Sequence, residues 1–500
     1  MNLDQYNRIL SVDKEQRIVV MEAGIRLHDL GLELKKHGLA MPNLGSIDDQ
    51  AIAGAIGTAT HGSSTRHGLL SQSVLELKIM LANGRTVSCS AKQNKDLFRA
   101  ALVSLGALGI ITEVTYQAVP AFDIEWQQSL HSLDEILAEW SKKLWTTAEF
   151  TRVWWMPYMK KAIVWRADKT TKPRRPPKQT WYGGLIGYHA YHILLYIAQW
   201  IPSLLPSIEK FVIGVQYGFT SGAVNTAVEE GHTGLLMNCL YSQFVNEWAL
   251  PLSAGPEAIS RLSAWLNGDP HSSSRIPFDN RNLYVHAPIE VRVSDTSTTI
   301  PRPYLDNTML DGPTLYINAT LYRPYNRDPP CWERYYEAFE WLMKDLGGRP
   351  HWAKNFQNVS CEEFWDMYPE MGEWVRVRNE VDPEGMFVGG WHRRNLLPLS
   401  LSENEEGGRD GDGEGMRVGL LPLEEREVSR IRASGGGLEW RGMVSGATKG
   451  EVKGNEKGEK FSPQGSEESF DLLQGAEAGE SVVLSKSEDE ERDQEEQEEL

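Results

Sequence analysis

The sequence predicts an α+β protein with two folded domains and a charged tail. The chain has 500 residues, which is too long for one compact core and favours at least two domains. Residues 1–120 combine strand and helix patterns around glycine turns. Residues 121–400 contain long, Trp-rich alternating segments typical of an antiparallel sheet with added helices. Residues 401–500 are rich in Gly, Glu, Ser and Lys, a composition typical of disordered chains.

The first domain is predicted from local patterns. Residues 17–22, RIVVME, are predicted to form a strand. A helix follows, with apolar residues at Leu27, Leu30 and Leu34. The segment SVLELKIMLANGRTVSCS alternates apolar and polar residues around Asn83-Gly84, which predicts a β-hairpin. A helix, a glycine break and a β-branched strand complete this domain.

The most apolar segment is residues 184–205, GLIGYHAYHILLYIAQWIPSLL. Its length is near that needed to span a bilayer, but Gly, His, Gln and Pro residues interrupt it. A helical hairpin, buried or at the membrane interface, and a true membrane span therefore both remain open. We expect membrane association through this segment.

Charge and cysteine content exclude several classes of protein. The formal net charge is −18, but residues 401–500 hold 27 acidic and 12 basic residues and so account for −15. The rest of the chain is nearly neutral, which argues against a nucleic-acid partner. The four cysteines are scattered and no His/Cys cluster with metal-ligand spacing occurs, so the sequence predicts neither a disulfide framework nor a metal site. The first residues lack the pattern of a signal peptide.

Residues 45–64, GSIDDQAIAGAIGTATHGSS, are almost all small. Glycine backbone allows a phosphate group or a flat ring to approach closely and to accept N–H hydrogen bonds. Neither a GxGxxG motif after a first strand nor a P-loop motif is present. From the residues alone, tight helix–sheet packing remains an equal alternative to a ligand-binding backbone.

Several motifs, in order along the chain, carry a resemblance to a known family. They are VMEAGIRLHDL, the small-residue stretch, SQFVNEWALP, PIEVRVS, RPHWAKNF and DPEGMFVGGWHRR. Residues 1 to about 398 thereby resemble the aldonolactone oxidases, flavoenzymes of the vanillyl-alcohol-oxidase superfamily. The apolar insert resembles that of the fungal members. The resemblance implies a PCMH-type FAD-binding domain followed by a cap domain with an antiparallel sheet and helices.

The resemblance also implies where FAD lies. Flavin-side candidates are Gly45, Ser46, Ile47, Gly54, Ala55, Gly57, Thr58, His61 and Gly62. Candidates along the adenosine half are Gly109, Ile110 and Ile111. In fungal and animal members the histidine that bonds covalently to the flavin belongs to an upstream unit, so His61 is not assigned that role.

Glu290 and Arg292 form an E-x-R pair in PIEVR. Side chains alternate along a strand, so both lie on one face. From spacing alone, an ordinary ion pair across a strand is the alternative. The resemblance implies that Glu290 binds lactone hydroxyls while Arg292 stabilises negative charge that develops on oxygen.

Two further residues complete the predicted catalytic set. The resemblance places Lys354 and His392 near the flavin, where a cation would stabilise the reduced, anionic ring. A helix-end charge for Lys354 and a structural role for His392 remain open. Glu247 is a candidate outside this set, and His351 is interpreted as a packing residue.

The resemblance implies the FAD-dependent oxidation of D-arabinono-1,4-lactone and related aldonolactones at C2. The expected electron acceptor is O2 and the expected product is hydrogen peroxide. The resemblance also implies a role in erythroascorbate synthesis and a location at a mitochondrial membrane. Family members carry a further strand–helix–strand unit upstream, so the first flavin subdomain is expected to be missing and flavin binding to be weak. Another sugar or alditol oxidase, and a flavin-deficient membrane-associated remnant, remain alternatives. The sequence does not indicate the oligomeric state.

Overall fold

A computed structural model describes residues 3–178, 181, 184–222, 224–237, 239–269, 274–286 and 288–397. The predicted disordered tail, residues 401–500, lies outside the described residues. In the described part, two large antiparallel sheets and most of the helices packed on them share one continuous apolar core, and a third sheet has two strands.

The first sheet and a separate strand pair are built from strands within the first 120 residues. In chain order these strands are β1 (Ile9–Asp13), β2 (Ile18–Glu22), β3 (Leu39–Ala40), β4 (Val74–Met80), β5 (Thr86–Ser90), β6 (Ile110–Gln117) and β7 (Val119–Pro120). The sheet order is β1-β2-β6-β4-β5, and β3 pairs separately with β7. The hairpin predicted at Asn83-Gly84 is confirmed as β4 and β5. Gly84 has a φ of +77°, which suits the tight turn.

Three helices accompany this sheet in the described residues: α1 (Leu27–Lys36), α2 (Ile52–Gly57) and α3 (Lys95–Ala101). The predicted apolar face of α1 is confirmed, because Leu27, Leu30 and Leu34 are all buried. The small-residue stretch contains α2, whose Ile52 and Ile56 face the core.

The second sheet is built from strands that follow residue 122. They are β8 (Asp123–Ser132), β9 (Phe150–Met156), β10 (Lys161–Thr170), β11 (Val224–Glu230), β12 (Gln243–Pro251), β13 (Ile289–Ser294), β14 (Thr314–Tyr322) and β15 (Arg349–Pro350). Their order is β11-β8-β10-β9-β13-β14-β12-β15, antiparallel throughout. The predicted domain boundary near residue 120 stays a prediction, although each sheet lies on its own side of it.

Nine α-helices follow residue 132 in the described part of the chain. They are α4 (Leu133–Glu139), α5 (Leu185–Ala198), α6 (Leu205–Tyr217), α7 (Gly231–Leu235), α8 (Gly255–Asn267), α9 (Trp332–Asp345), α10 (Cys361–Met367), α11 (Met371–Val381) and α12 (Gly390–Asn395). Helix α9 is amphipathic, and its buried face includes Tyr336, Phe339 and Met343.

The apolar insert forms a helical hairpin of α5 and α6, with Pro202 at the start of the connecting 3₁₀ turn. Among the described residues, the longest apolar helices fall short of what a bilayer crossing requires. The hairpin has its own small core, which includes Tyr191, Leu195 and Val212.

The segment after α2 joins the two sheets. The amide N–H of Ser64 donates to the carbonyl of Val293 at 2.8 Å, and the N–H of Thr151 donates to the carbonyl of Ser63 at 3.1 Å. Main-chain hydrogen bonds thus attach the end of the small-residue stretch to β9 and β13.

Candidate active site

A cavity of about 250 Å³ lies between the small-residue stretch and the second sheet. Its walls include Gly45, Ser46, Ile47, Gln50, Thr60, His61, Trp154, Met237, Cys239, Gln243, Glu290, Arg292, Asn318, Thr320, His351 and Lys354. The structure therefore brings three of the four predicted catalytic residues together with four of the predicted flavin-side residues. The volume is below the range common for drug-sized ligands, which suits a small, polar substrate.

Strand β13 presents Glu290 and Arg292 to this cavity. Alternation along the strand buries Ile289, Val291 and Val293 on the opposite face. The Nε atom of Arg292 lies 3.4 Å from Oε2 of Glu290. The predicted juxtaposition on one face is therefore present, while the catalytic roles stay predictions.

The principal partner of Arg292 is Glu247 on β12. Its Nη2 lies 2.8 Å from Oε1 and 2.7 Å from Oε2 of Glu247. Burial acts to raise the pKa of the Glu247 carboxyl, but Arg292, followed by Lys354 and His61, holds it well below its usual range. Burial likewise acts to lower the pKa of Arg292, and Glu247 and Glu290 outweigh it. Both groups are thus charged, and the guanidinium has a fixed orientation.

His61 is the third member of this buried cluster. Its Nε2 lies 2.9 Å from Oε1 of Glu247, and its Nδ1 lies 2.8 Å from the carbonyl oxygen of Gly62. The imidazole stacks on the ring of Tyr316, with centroids 3.5 Å apart. Burial, and then the charge of Arg292, lowers the pKa of His61. A neutral imidazole has one N–H, so it can donate to only one of its two acceptors.

Asn318 on β14 positions Glu290. Its Nδ2 donates to Oε2 of Glu290 at 3.0 Å, and its Oδ1 accepts the main-chain N–H of Glu290 at 3.1 Å. Among the described residues, Oε1 of Glu290 has no hydrogen-bond donor. One carboxylate oxygen therefore remains available to a ligand in the cavity.

Lys354 lies on the loop after β15, where its N–H donates to the carbonyl of His351 at 3.0 Å. Its charge reaches the site, because it helps to lower the pKa of the Glu247 carboxyl. His351 is buried and lines the cavity, so it contributes to the wall as well as to packing. Burial lowers its pKa well below the usual value, so the imidazole is neutral.

His392 lies outside this cavity. It is the third residue of α12; its Nε2 is 2.9 Å from the carbonyl oxygen of Leu105, and its Nδ1 accepts the N–H of Gly389. Both ring nitrogens thus serve contacts that hold α12 against the loop before β6. This geometry favours the structural alternative for His392, and its catalytic role stays a prediction without support from the cavity.

The other cofactor candidates lie around the stretch or in the first sheet. Gly54, Ala55 and Gly57 belong to α2, Thr58 ends it, and Gly62 follows His61. A Cβ at Gly62 would lie 2.1 Å from Oδ1 of Asn43, so any larger residue would displace this buried side chain. Gly109, Ile110 and Ile111 lie at the start of β6 and do not line the cavity.

Buried polar atoms without partners indicate what the stretch can bind. Among the described residues, Oγ of Ser46, Oε1 of Gln50 and Oγ1 of Thr60 are buried and make no hydrogen bond. A Cβ at Gly54 would meet no heavy atom within 4 Å, so this backbone is open. Nε and Nη1 of buried Arg152 on β9 are also unpaired, but Arg152 does not line the cavity. Ser46, Gln50 and Thr60 line the cavity, so their unpaired atoms fit a flat, polar ring system such as the flavin of FAD.

Sequence reasoning missed several of these groups. Asn318 and Tyr316 are polar residues in the otherwise apolar strand segment LYINATLY, and that interruption is the signal that could have identified them. Arg152 offers a similar signal inside FTRVWW. Glu247 was visible in NEWALP, but its pairing with Arg292 depends on strand order.

Comparison with known proteins now identifies the family. Residues 114–395 match the family model described as D-arabinono-1,4-lactone oxidase, and residues 1–90 match a model described as FAD binding domain. The chain belongs to the D-arabinono-1,4-lactone oxidase family. The predicted cofactor, FAD, and the PCMH-type flavin domain within an α+β fold are thereby confirmed.

Relatives cover most of the chain. It is 50% identical over 470 residues to a Neurospora crassa protein provisionally named D-arabinono-1,4-lactone oxidase, covering 89% of this chain and 82% of the relative. The D-arabinono-1,4-lactone oxidase of Yarrowia lipolytica is 38% identical over 465 residues, covering 79% and 86%. The L-gulonolactone oxidase of Scyliorhinus torazame is 34% identical over 397 residues, covering 79% and 85%.

A solved structure, cholesterol oxidase from Brevibacterium sterolicum, superposes with a TM-score of 0.63 at 18% identity, covering 79% of this chain and 84% of that chain. At this identity the likeness indicates a shared fold.

Proposed function

We propose that this protein oxidises D-arabinono-1,4-lactone and related aldonolactones at C2, with O2 as acceptor and hydrogen peroxide as product. The reaction class is supported by membership of the family and by the match of residues 1–90 to the FAD binding domain. When bound, FAD supplies the hydride acceptor and passes the electrons to O2. The remaining requirements are substrate orientation, a site for the hydroxyl proton and positive charge where electron density grows.

The chain's own residues supply these requirements. Oε1 of Glu290 can accept a hydrogen bond from a substrate hydroxyl, because Asn318 and Arg292 occupy the Oε2 side. Arg292 is oriented by Glu247 through Nη2, so its remaining donors serve as a preorganised cation for developing negative charge on oxygen. Lys354 adds a second positive charge at the cavity wall.

The observation that carries the proposal is the Glu290–Arg292 pair in the same cavity as Gly45, Ser46 and His61. The test is peroxide release by the flavin-loaded protein with D-arabinono-1,4-lactone, L-galactono-1,4-lactone, L-gulono-1,4-lactone and an alditol such as xylitol. We expect release with the lactones. Turnover of the alditol alone would replace this assignment with the alditol-oxidase alternative. A colourless protein that fails to take up FAD would support the flavin-deficient alternative.

We also propose that the α5–α6 hairpin binds the surface of a membrane, with a mitochondrial membrane as the cellular location. Among the described residues, ten of the eighteen exposed large apolar side chains fall within residues 185–219. They are Leu185, Ile186, Ile193, Ile197, Trp200, Ile201, Leu204, Phe211, Val215 and Phe219. Such a concentration is unusual for a surface in contact with water.

Charge near the hairpin favours a bilayer with anionic lipids as its partner. The segment TTKPRRPPK, residues 170–178, precedes α5 in the sequence and carries four basic and no acidic residues. Lys172 and Arg174 pair with Glu125 and Asp123, which leaves Arg175 and Lys178 without an acidic partner among the described residues. The exposed apolar face and this basic segment together match the requirements of an interfacial anchor.

The anchor is tested by vesicle flotation with anionic liposomes. We expect Ile186→Glu and Trp200→Glu to lower the bound fraction strongly, because a charge would have to enter the interface. The matched control is Leu10→Glu, which changes an exposed apolar residue on β1. Fractionation of cells with a carbonate wash tests location. Equal binding by all variants, or recovery of the intact protein entirely in the soluble fraction, would reject the anchor.

A further inference from the structure

Three side chains from distant parts of the sequence converge next to α1. They are His28 near the start of α1, Asp48 in the segment before α2, and His232 in α7. Oδ2 of Asp48 lies 3.2 Å from Nδ1 of His28 and 2.9 Å from Nε2 of His232. All three atoms lie within 4.8 Å of one another.

Backbone contacts create this convergence. The N–H of His28 donates to the carbonyl of Asp48 at 2.9 Å, which fixes the first two residues relative to each other. A Cβ at Gly31 would lie 2.3 Å from ring atoms of His232, so glycine at this position of α1 admits the imidazole. The N–H of Met237 donates to the carbonyl of Ser46, which ties the segment after α7 to the same loop.

The donor set is that of a borderline divalent metal. Two imidazole nitrogens and one carboxylate oxygen are typical ligands of Zn²⁺. Tetrahedral ligands at about 2.0–2.2 Å from Zn²⁺ are separated by roughly 3.3–3.6 Å. The separations of 3.2 and 2.9 Å seen here are those of hydrogen bonds, and they would widen by a few tenths of an ångström on coordination. The His28 side chain is 57% exposed, so water can occupy a fourth position.

The described residues contain a second His–carboxylate cluster, formed by His61, Glu247 and His351. This cluster is less suited to a metal cation, because a positive side chain already neutralises its carboxylate. There Arg292 already occupies both oxygens of the carboxylate. Around Asp48, the described partners of the carboxylate side chain are the two imidazoles, which give up their hydrogen bonds to it when they coordinate a metal.

We propose that His28, Asp48 and His232 form a binding site for a divalent transition-metal ion, with Zn²⁺ as the best match. The ion would join α1, the cavity-lining loop and α7. Because Asp48 follows Ser46 and Ile47 closely, occupancy would stiffen the loop that borders the cavity. The site is independent of the proposed oxidase reaction.

Isothermal titration of the full chain with Zn²⁺, and visible absorption with Co²⁺, test the site. We expect one equivalent to bind and to raise the thermal midpoint. Loss of an outer-shell partner typically weakens metal binding by roughly 10–100-fold. His28→Ala and Asp48→Asn each remove a direct ligand, so each should weaken binding by at least that factor. His189→Ala, which removes an exposed imidazole elsewhere, is the matched control.

His28 is exposed and Asn is nearly isosteric with Asp, so both variants are expected to fold, and circular dichroism checks this. Unchanged affinity in both variants, or no stoichiometric binding by the parent chain, would overturn the proposal and leave a hydrogen-bonded triad. Weaker binding in His189→Ala than in His28→Ala would place the metal elsewhere and overturn it as well.

Discussion

Arg292 is oriented by Glu247, which lies on a different strand. The two oxygens of this carboxylate hold one guanidinium nitrogen, and His61 contacts the same carboxylate from the other side. A buried ion pair of this kind adds little net stability, but breaking it leaves an uncompensated buried charge. Its value here is orientation, because a preorganised cation needs no rearrangement during the reaction.

Arg292→Ala is expected to lose roughly 2–4 kcal/mol of transition-state stabilisation, the scale of a lost oxyanion donor. The measurement is kcat/KM for lactone-dependent peroxide release, with flavin content from absorbance. The alanine variant leaves Glu247 as an uncompensated buried charge, which costs about 3–5 kcal/mol of stability. Arg292→Lys is therefore measured as a second variant.

Arg292→Lys keeps the charge but loses the planar fork, so it should fold and still lose kcat/KM. Arg281→Ala, which removes an exposed arginine paired with Asp279, is the control and should change nothing. Near-normal kcat/KM in a folded, flavin-loaded Arg292→Ala protein would remove the pair from the mechanism.

Local patterns predicted this site only in part. The two-residue spacing of Glu290 and Arg292 implies a shared face, because strand geometry is local. The partnership of Arg292 with Glu247 needs the order β13-β14-β12, which no local pattern contains. For His392 the local motif predicted a position near the flavin. Its observed contacts instead hold α12 against the loop before β6.

At the scale of elements, β6 depends on close approach to β4. Gly109 precedes β6 with a φ of +143°, and a Cβ there would lie 2.6 Å from the carbonyl oxygen of Met80. That oxygen is main-chain and cannot move aside without distorting β4. The same glycine is also a predicted flavin contact, so its two roles require separate readouts.

Gly109→Ala should lower the free energy of unfolding by about 1–3 kcal/mol, the cost of a strained backbone position. Gly372→Ala is the matched control: Gly372 lies in α11, and a Cβ there meets no heavy atom within 4 Å. This control should be neutral or slightly stabilising. Urea unfolding measures both. Unchanged stability with lost flavin would instead assign Gly109 to the cofactor.

Across the whole molecule, Glu149 joins the two sheet regions. It lies before β9, and its Oε1 is 2.8 Å from Nε2 of His67 and 2.8 Å from Nζ of Lys169. The hydrogen bond with His67, followed by the one with Lys169, outweighs burial and lowers the pKa of Glu149 to about 2. Folding therefore favours the ionised carboxylate.

The stabilisation of the folded state by ionised Glu149 depends on pH. The contribution of Glu149 is fully present above its unfolded pKa of about 4.3 and is lost as pH falls toward 2. Glu149→Gln should therefore be less stable than the parent near neutral pH, and the difference should shrink in acid. Urea midpoints across this range measure it, with exposed Glu15→Gln as control. A difference that stays constant with pH would show that ionisation of Glu149 is not involved.

The contact between His61 and Glu247 spans 186 residues of chain. At synthesis rates of about 5–20 residues per second, Glu247 leaves the ribosome roughly 10–40 seconds after His61. During that interval the small-residue stretch lacks β12, β13 and β14, the strands that carry Glu247, Arg292 and Asn318. Closing so long a loop is entropically costly, so the contact is expected to form late in folding. A nascent chain arrested before residue 247 would therefore hold an unfinished pocket, and chaperones and FAD would meet different surfaces on it than on the completed protein.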